Sequence, residues 1–232
     1  MPADDRFVIP PPAIPSLPVH GEDRRFPVRR IYCVGRNYAD HAREMGHDPD
    51  REPPFFFSKP ADTLLTGDAV LPYPPRTDDL HFEAELVVAL GAGGSDVAPD
   101  RAGDLIWGYA AGNDWTRRDL QAEAKRAGRP WDLAKGFDLS AACGPLHPVA
   151  RTGRLDRGRI ALTVDGDLRQ ESDLSQMIWP VAEVIAHLSG FVKLSAGDLI
   201  FTGTPAGVGA AMRGQTVTVM IEGLTPLVTR VV

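Results

Sequence analysis

Residues 81–90 form an apolar run that carries two closely spaced glutamates. Because side chains alternate between the faces of a β-strand, Glu83 and Glu85 point one way while Phe82 and Ala84 point the other. Two neighbouring carboxylates repel each other and resist removal from water, and a bound cation removes both costs. From this run alone, a solvent-facing strand edge with two ordinary acidic residues explains the pattern slightly better.

Length and composition limit the kind of protein further. A chain of 232 residues with 43% hydrophobic and 24% charged residues can form one soluble domain with a full core. The net charge of -6 argues against nucleic acid or an anionic membrane as a partner. There is neither a signal-peptide pattern nor a membrane-length apolar run. Two scattered cysteines are too few for a disulfide framework or a zinc site, so we expect a cytoplasmic protein with reduced thiols.

The chain divides into a short arm and one domain. Residues 1–28 contain seven prolines and predict an extended N-terminal arm over a domain at 29–232. That domain alternates short apolar runs with turn residues and contains few helical patterns, without regular βαβ alternation. Asp165 and Gly166 give the strongest hairpin signal. The pattern predicts an α+β, β-rich fold rather than a doubly wound sheet.

Asp114 is a candidate third partner for the two glutamates. It follows the apolar run at 106–111 and precedes a helical pattern at 116–127, where an aspartate is also a common helix N-cap. Three carboxylates without imidazole or thiolate suit Mg²⁺ or Mn²⁺, and Ca²⁺ is also compatible.

A candidate base lies earlier in the chain. His41 and Glu44 are three residues apart on a predicted short helix that begins at Asn37 and ends at Gly46, so they share a helical face. A carboxylate beside an imidazole orients the ring and raises its basicity, as activation of water requires. A surface helix with a chance acidic neighbour produces the same spacing.

Other polar residues fall near the expected carboxylate cluster. Arg118 and Gln121 share a helical face near Asp114 and could bind an anionic substrate, whereas Lys125 on that face is interpreted as solvated. Lys135 is a lone cation in apolar company, suited to an ion pair or to stabilising negative charge. The loop at 202–209 is either a tight turn or a loop whose amides and Thr204 approach a carboxylate.

Together these motifs resemble the fumarylacetoacetate hydrolase family. The match follows the family's order over about residues 29–231, leaving out only the arm. The matching motifs lie at residues 32–45, 57–60, 81–86, 112–121, 131–138 and 197–209. The resemblance implies a mixed β-sandwich roll with a few short helices that assembles as a homodimer.

The resemblance also implies roles for particular residues. Glu83, Glu85 and Asp114 match the family's divalent-metal ligands, with Mg²⁺ or Mn²⁺ as the implied ion. His41, Glu44 and Lys135 match catalytic residues, the first two as a water-activating dyad. The implied substrate contacts are Arg36, Arg118, Gln121 and Thr204.

The implied reaction is hydrolysis of a carbon–carbon bond in a 2,4-diketo acid, a small-molecule substrate. Residues 45–57 are most similar to the family branch that converts fumarylpyruvate to fumarate and pyruvate in aromatic catabolism. Oxaloacetate decarboxylation and isomerisation or decarboxylation of a hydroxymuconate-type compound could use the same site, and a non-catalytic binding protein could keep the fold. The alternative reactions need no activated water, so His41 and Glu44 favour hydrolysis.

Overall fold

The computed structural model describes residues 7–40, 52–66 and 69–232. Its strands are β1 Ser16–Val19, β2 Glu22–Pro27, β3 Arg30–Gly35, β4 Phe55–Lys59, β5 Leu64–Thr66, β6 Ala69–Leu71, β7 Leu80–Phe82, β8 Ala84–Leu90, β9 Ile106–Asp114, β10 Thr116–Arg117, β11 Ala141–Cys143, β12 His147–Pro148, β13 Arg159–Val164, β14 Asp167–Asp173, β15 Asp198–Phe201, β16 Gly209–Ala210, β17 Thr216–Ile221 and β18 Leu227–Val231. Its α-helices are α1 Pro99–Ala102, α2 Arg118–Ala127, α3 Asp132–Lys135, α4 Val149–Thr152 and α5 Val181–Phe191. Short 3-10 helices cover Ala61–Thr63, Gly103–Leu105 and Leu174–Gln176.

Two mixed sheets form the body of the fold. The larger sheet follows the order β4-β3-β15-β8-β9-β11-β5, with β12 added beside β9. The second follows the order β14-β13-β17-β18-β6, and a small sheet joins β10, β7 and β16. The predicted hairpin at Asp165 and Gly166 connects β13 to β14, with both residues at positive φ as a type I′ turn requires. The predicted α+β, β-rich fold is confirmed.

Strand β8 separates two apolar cores. Leu86 and Val88 enter the core shared with the second sheet, whereas Val87 and Ala89 enter a core on the opposite face. This is the period-2 alternation that the sequence predicts. Glu85 therefore lies on the same face as Val87, at the polar end of the second core.

Close packing of β8 and β9 depends on a glycine. Glu85 pairs with Gly112, two residues before Asp114. A Cβ atom on Gly112 would lie 2.4 Å from Val87 Cγ2 and 2.9 Å from Phe201 Cε1, well inside van der Waals contact. The absence of a side chain at residue 112 thus keeps the two acidic strands adjacent.

The N-terminal segment is more structured than its prolines suggest. Strands β1 and β2 form an antiparallel hairpin whose Leu17 and Phe26 are buried in the second core. Pro18 and Pro27 are accommodated because a two-stranded ribbon has edge positions that need no backbone donor. The predicted N-terminal arm thus contains a two-stranded hairpin at residues 16–27, and the boundary at residue 28 stays a prediction.

Across the described ranges, every helix is too short or too polar to cross a membrane.

Candidate metal and substrate site

Three buried carboxylates meet where the small sheet joins the large one. Glu83, Glu85 and Asp114 each offer an oxygen atom, and these atoms lie within 4.8 Å of one another. Glu83 occupies the break between β7 and β8, and Glu85 follows on β8. Asp114 ends β9, and its N–H donates to the Glu83 carbonyl at 2.9 Å. The predicted acidic cluster therefore forms.

Two amide side chains form hydrogen bonds with the backbone at the break between β7 and β8. The Glu83 N–H donates to Asn113 Oδ1 at 2.8 Å, and the Ala84 N–H donates to Gln170 Oε1 at 3.0 Å. Gln170 Nε2 in turn donates to Thr204 Oγ1 at 2.8 Å. These bonds replace the ladder partners that the break removes, and they fix the direction of the Glu83 side chain. Sequence reasoning missed Asn113 and Gln170, whose partners lie on distant strands.

Two buried lysines neutralise the acidic cluster. Lys135, in α3, places Nζ 2.6 Å from Glu83 Oε2 and 2.8 Å from Asp114 Oδ2. Lys59, at the end of β4, places Nζ 2.7 Å from Asp114 Oδ1 and donates to the carbonyls of Lys135 and Trp115. Sequence reasoning missed the role of Lys59, although a lysine that ends an aromatic run before a proline was visible.

Arg118 lies at the first position of α2 and adds a third cation. Its guanidinium donates to Glu83 Oε1 and to Gln121 Oε1, both at 2.6 Å. Its Nε donates to His81 Nδ1 at 3.3 Å, and His81 Nε2 donates to Asp79 Oδ1 at 2.9 Å. Burial and then Arg118 lower the pKa of His81, so a neutral ring orients the guanidinium.

Glu85 is a buried carboxylate beside two others. Burial is the main cause that raises its pKa well above the usual range, and repulsion from Asp114 and Glu83 adds to it. The Gly203 N–H, 2.7 Å from Glu85 Oε2, opposes the shift. The glycine-rich loop thus brings a backbone amide to a carboxylate, which is the second of the two interpretations that its sequence allows.

The donor set suits a hard divalent cation. The cluster offers three carboxylates within the distance that one ion can bridge, and among the described residues it contains no imidazole or thiolate. Asp114 Oδ1 faces Lys59 as an ion pair, but no described donor is aligned for a hydrogen bond to it. The carboxylate oxygens of Glu83, Glu85 and Asp114 are therefore suited to bind a divalent metal ion.

A cavity opens onto the acidic cluster. Asp114 is fully buried and does not line the cavity. The wall contains every other described residue that the sequence predicts as functional: Arg36, Glu83, Glu85, Arg118, Gln121, Lys135 and Thr204. Lys125, interpreted as solvated, also lines this wall, as do Phe55, Phe57 and Trp131. Lys125 is exposed, as the sequence suggests, but its Nζ also lies over the Trp131 ring at the edge of the cavity.

The predicted dyad of His41 and Glu44 lies outside the described residues. The segment that leads to it is anchored by Asn37, which the sequence suggests as a helix cap. Asn37 Nδ2 donates to the carbonyls of Thr202 and Trp179 at 2.8 and 2.9 Å, and Asn37 Oδ1 accepts from the Trp179 N–H at 2.8 Å.

Three carboxylates and several cations around one cavity are typical of enzymes that process small anions with a divalent ion. The chain belongs to the fumarylacetoacetate hydrolase family, because the family described as "Fumarylacetoacetate (FAA) hydrolase C-terminal" matches residues 30–232. The family resemblance and the β-roll that it implies are confirmed.

Individual relatives cover nearly all of the chain. The crystal structure of a fumarylpyruvate hydrolase from Pseudomonas aeruginosa, in complex with Mn²⁺ and pyruvate, is 52% identical, with a TM-score of 0.95 over 97% of this chain and 99% of that one. A fumarylpyruvate hydrolase from Ralstonia is 44% identical over 185 residues, 79% of this chain and 96% of that protein. An oxaloacetate tautomerase from Escherichia coli is 38% identical over 207 residues, 89% of this chain and 94% of that protein.

Proposed function

We propose that this protein hydrolyses the carbon–carbon bond of a 2,4-diketo acid, converting fumarylpyruvate and water to fumarate and pyruvate. The observation that carries the proposal is the buried carboxylate cluster at the cavity wall. It occurs in a chain that matches a fumarylpyruvate hydrolase over 97% of its length. The enzyme is a hydrolase that acts on carbon–carbon bonds, and its partner is a small-molecule substrate.

Glu83, Glu85 and Asp114 would hold a divalent ion, which we propose is Mg²⁺ or Mn²⁺. When bound, such an ion acts as a Lewis acid that stabilises negative charge at the pyruvate end of the substrate. Support comes from the hard-oxygen donor set and from Mn²⁺ in the 52% identical structure. A +2 charge would also relieve the repulsion that raises the pKa of Glu85.

Hydrolysis needs a base, and His41 is our candidate, oriented by Glu44. His41 takes a proton from water, and the resulting hydroxide bonds to C4 of the diketo acid. The C3–C4 bond then breaks, its electron pair passes to C3, and pyruvate leaves as its enolate. A proton returned to C3 completes pyruvate, while the acyl fragment departs as a carboxylate. This assignment rests on sequence spacing and family resemblance.

Lys135 is placed to control the charge of the leaving enolate. Burial acts to lower the pKa of its ammonium, but Asp114 and Glu83 outweigh burial and raise that pKa above the ordinary value. A cation that keeps its proton can stabilise an enolate oxygen or donate toward C3. We propose Arg118, Gln121 and Thr204 as neighbouring contacts for the pyruvate end, because all three line the same cavity.

Oxaloacetate tautomerisation is the second candidate function. A relative of that name is 38% identical over 89% of this chain. Tautomerisation moves a proton between carbon and oxygen and breaks no carbon–carbon bond, so it requires the enolate-stabilising residues but no water-activating base. The two functions therefore differ at His41 and Glu44.

A steady-state comparison of substrates tests the proposal. Metal-stripped protein is supplied with Mg²⁺ or Mn²⁺, and rates are measured on fumarylpyruvate, acetylpyruvate and oxaloacetate. We expect formation of pyruvate and fumarate, with the highest kcat/KM on fumarylpyruvate. Rapid enol–keto exchange of oxaloacetate without cleavage of either diketo acid would establish the second candidate instead.

We also propose a cytoplasmic homodimer. The assembly follows from the family resemblance, and the location follows from two free cysteines, Cys33 and Cys143, which suit a compartment that keeps thiols reduced. Light scattering coupled to size exclusion tests the assembly, with a mass near twice 25.1 kDa as the expected result.

A further inference from the structure

Two cations at the cavity wall lie against aromatic rings rather than against carboxylates. Arg36 Cζ is 4.9 Å from the centroid of the Phe55 ring, and Lys125 Nζ is 5.2 Å from the centroid of the Trp131 ring. The two rings contact each other edge to face, with centroids 5.4 Å apart. Each ring of the aromatic pair, Phe55 and Trp131, thus makes a cation–π contact with one of the two cations.

The backbone at Arg36 is shaped for this contact. Arg36 has φ of 58°, a left-handed conformation that side-chain-bearing residues rarely adopt and that concentrates at functional sites. The preceding Gly35 lets Phe55 approach, because a Cβ atom on Gly35 would lie 1.9 Å from the Phe55 ring. The strained residue, the glycine and the ring together fix the position of one guanidinium.

The cations at the wall fall into two groups. Arg118 and Lys135 are committed to Glu83 and Asp114 at 2.6 to 2.8 Å. Within residues 7–40, 52–66 and 69–232, by contrast, neither Arg36 nor Lys125 forms an ion pair with a carboxylate. Among the described residues, the positive charge of this second group faces aromatic rings and the cavity instead of a carboxylate.

The positive charge of Lys125 is also disfavoured by its neighbours. Burial lowers the pKa of the Lys125 ammonium, and the positive charges of Arg118 and Arg36 lower it further. Arg36, Arg118 and Lys125 line the same cavity, so their positive charges repel one another. An incoming carboxylate would offset this repulsion, and its apolar carbon skeleton would contact Phe55 and Trp131.

We propose that Arg36 and Lys125 form a second anion site that binds the carboxylate at the far end of the acyl group. The inference rests on the proposed function, and it specifies the substrate: an acylpyruvate whose acyl group ends in a carboxylate. The acidic cluster and its lysines take the pyruvate end, while the aromatic pair and its two cations take the other end. Lys125 is thereby a specificity-determining residue.

The test compares a dicarboxylate substrate with one that has a neutral acyl group. For Lys125→Met, we expect the ratio of kcat/KM on fumarylpyruvate to kcat/KM on acetylpyruvate to fall about tenfold, the size of one charge-assisted contact. Arg36→Met should lower the same ratio by a similar factor, and Lys125→Arg should restore most of it. The matched control is Arg126→Met, which removes an exposed cation outside the cavity wall and should leave the ratio unchanged.

Binding of fumarate, the proposed product of the acyl group, separates failure of this inference from failure of the proposed function. Isothermal calorimetry should show fumarate binding to the wild-type protein and about tenfold weaker binding to Lys125→Met. Equal rate losses on both diketo acids, an unchanged ratio, or unchanged fumarate affinity would overturn the inference while leaving hydrolysis intact. If the wild-type protein cleaves neither diketo acid, the proposed function fails, and the fumarate measurement alone decides the anion site.

Discussion

Replacing Glu85 with glutamine should stabilise the metal-free protein and abolish its response to metal. The Glu85 side chain is buried on β8, its pKa is raised by burial and by Asp114 and Glu83, and one oxygen accepts from the Gly203 N–H. Glutamine retains the shape and an acceptor oxygen for Gly203 but carries no charge. The substitution therefore removes the desolvation cost and keeps the hydrogen bond.

The size of the effect follows from the cost of burying a charge. That cost amounts to several kcal/mol per ion, part of which the nearby lysines offset, so we expect a gain of about 1–3 kcal/mol at pH 8. Each kcal/mol corresponds to about 2–4 °C in Tm for a chain of this size. Saturating metal should stabilise the wild type by about 2.7 kcal/mol at hundredfold excess over Kd, and the variant by much less.

The pH dependence has a definite sign. Because the folded pKa of Glu85 lies above its unfolded value, the wild type keeps its full stability below the unfolded pKa, about 4.3, and loses stability as pH rises through the folded pKa. Glutamine does not titrate. The stability difference between Glu85→Gln and the wild type should therefore be small near pH 4 and grow toward pH 8.

Differential scanning calorimetry in EDTA, then with Mn²⁺, measures all three effects. Glu123→Gln is the matched control, because it makes the same chemical change on the exposed face of α2 and should alter neither Tm nor the metal response. A Glu85→Gln protein that is less stable than the wild type in EDTA at pH 8 would refute the buried-charge reasoning. A full metal response in that variant would refute the ligand assignment.

Three further predictions concern residues around the acidic cluster. Lys59→Met leaves Asp114 and two carbonyls without their cation, so urea unfolding should show a loss of about 3–5 kcal/mol, whereas exposed Lys193→Met should be neutral. His41→Ala should lose turnover but keep the metal affinity measured by calorimetry, and a parallel loss of both would contradict the dyad assignment. Gln170→Leu removes the partner of the Ala84 N–H and should weaken metal binding about 10–100-fold without touching a ligand, so an unchanged Kd would rule out that role.

The local periodicity of the sequence predicts the acidic cluster and helix α2. The alternation along β8 placed Glu83 and Glu85 on one face, and the end of an apolar run placed Asp114 beside them, because strand period and strand ends are local properties. The helical pattern at 116–127 is likewise confirmed: α2 covers Arg118–Ala127, and Gly128 follows in the left-handed conformation.

The remaining features depend on contacts between distant segments. Lys59 pairs with Asp114 because β4 packs near the end of β9, and Gln170 accepts from the Ala84 N–H because β14 packs beside the start of β8. Nothing in the sequence around either residue predicts these contacts. Lys125 is exposed, as its position on α2 suggests, but only the contact with Trp131 places its ammonium at the edge of the cavity. Tertiary packing, rather than propensity, decides such positions.

The glycine between the acidic strands bears on how natural variants of this protein are interpreted. Gly112 contributes no charge and no side-chain donor, and it does not line the cavity. Its missing side chain nevertheless sets the spacing of β8 and β9, and with it the separation of Glu85 from Asp114. A single added methyl group could thus silence a homologue whose acidic residues are all intact, so a survey that inspects only those residues would misclassify it as active.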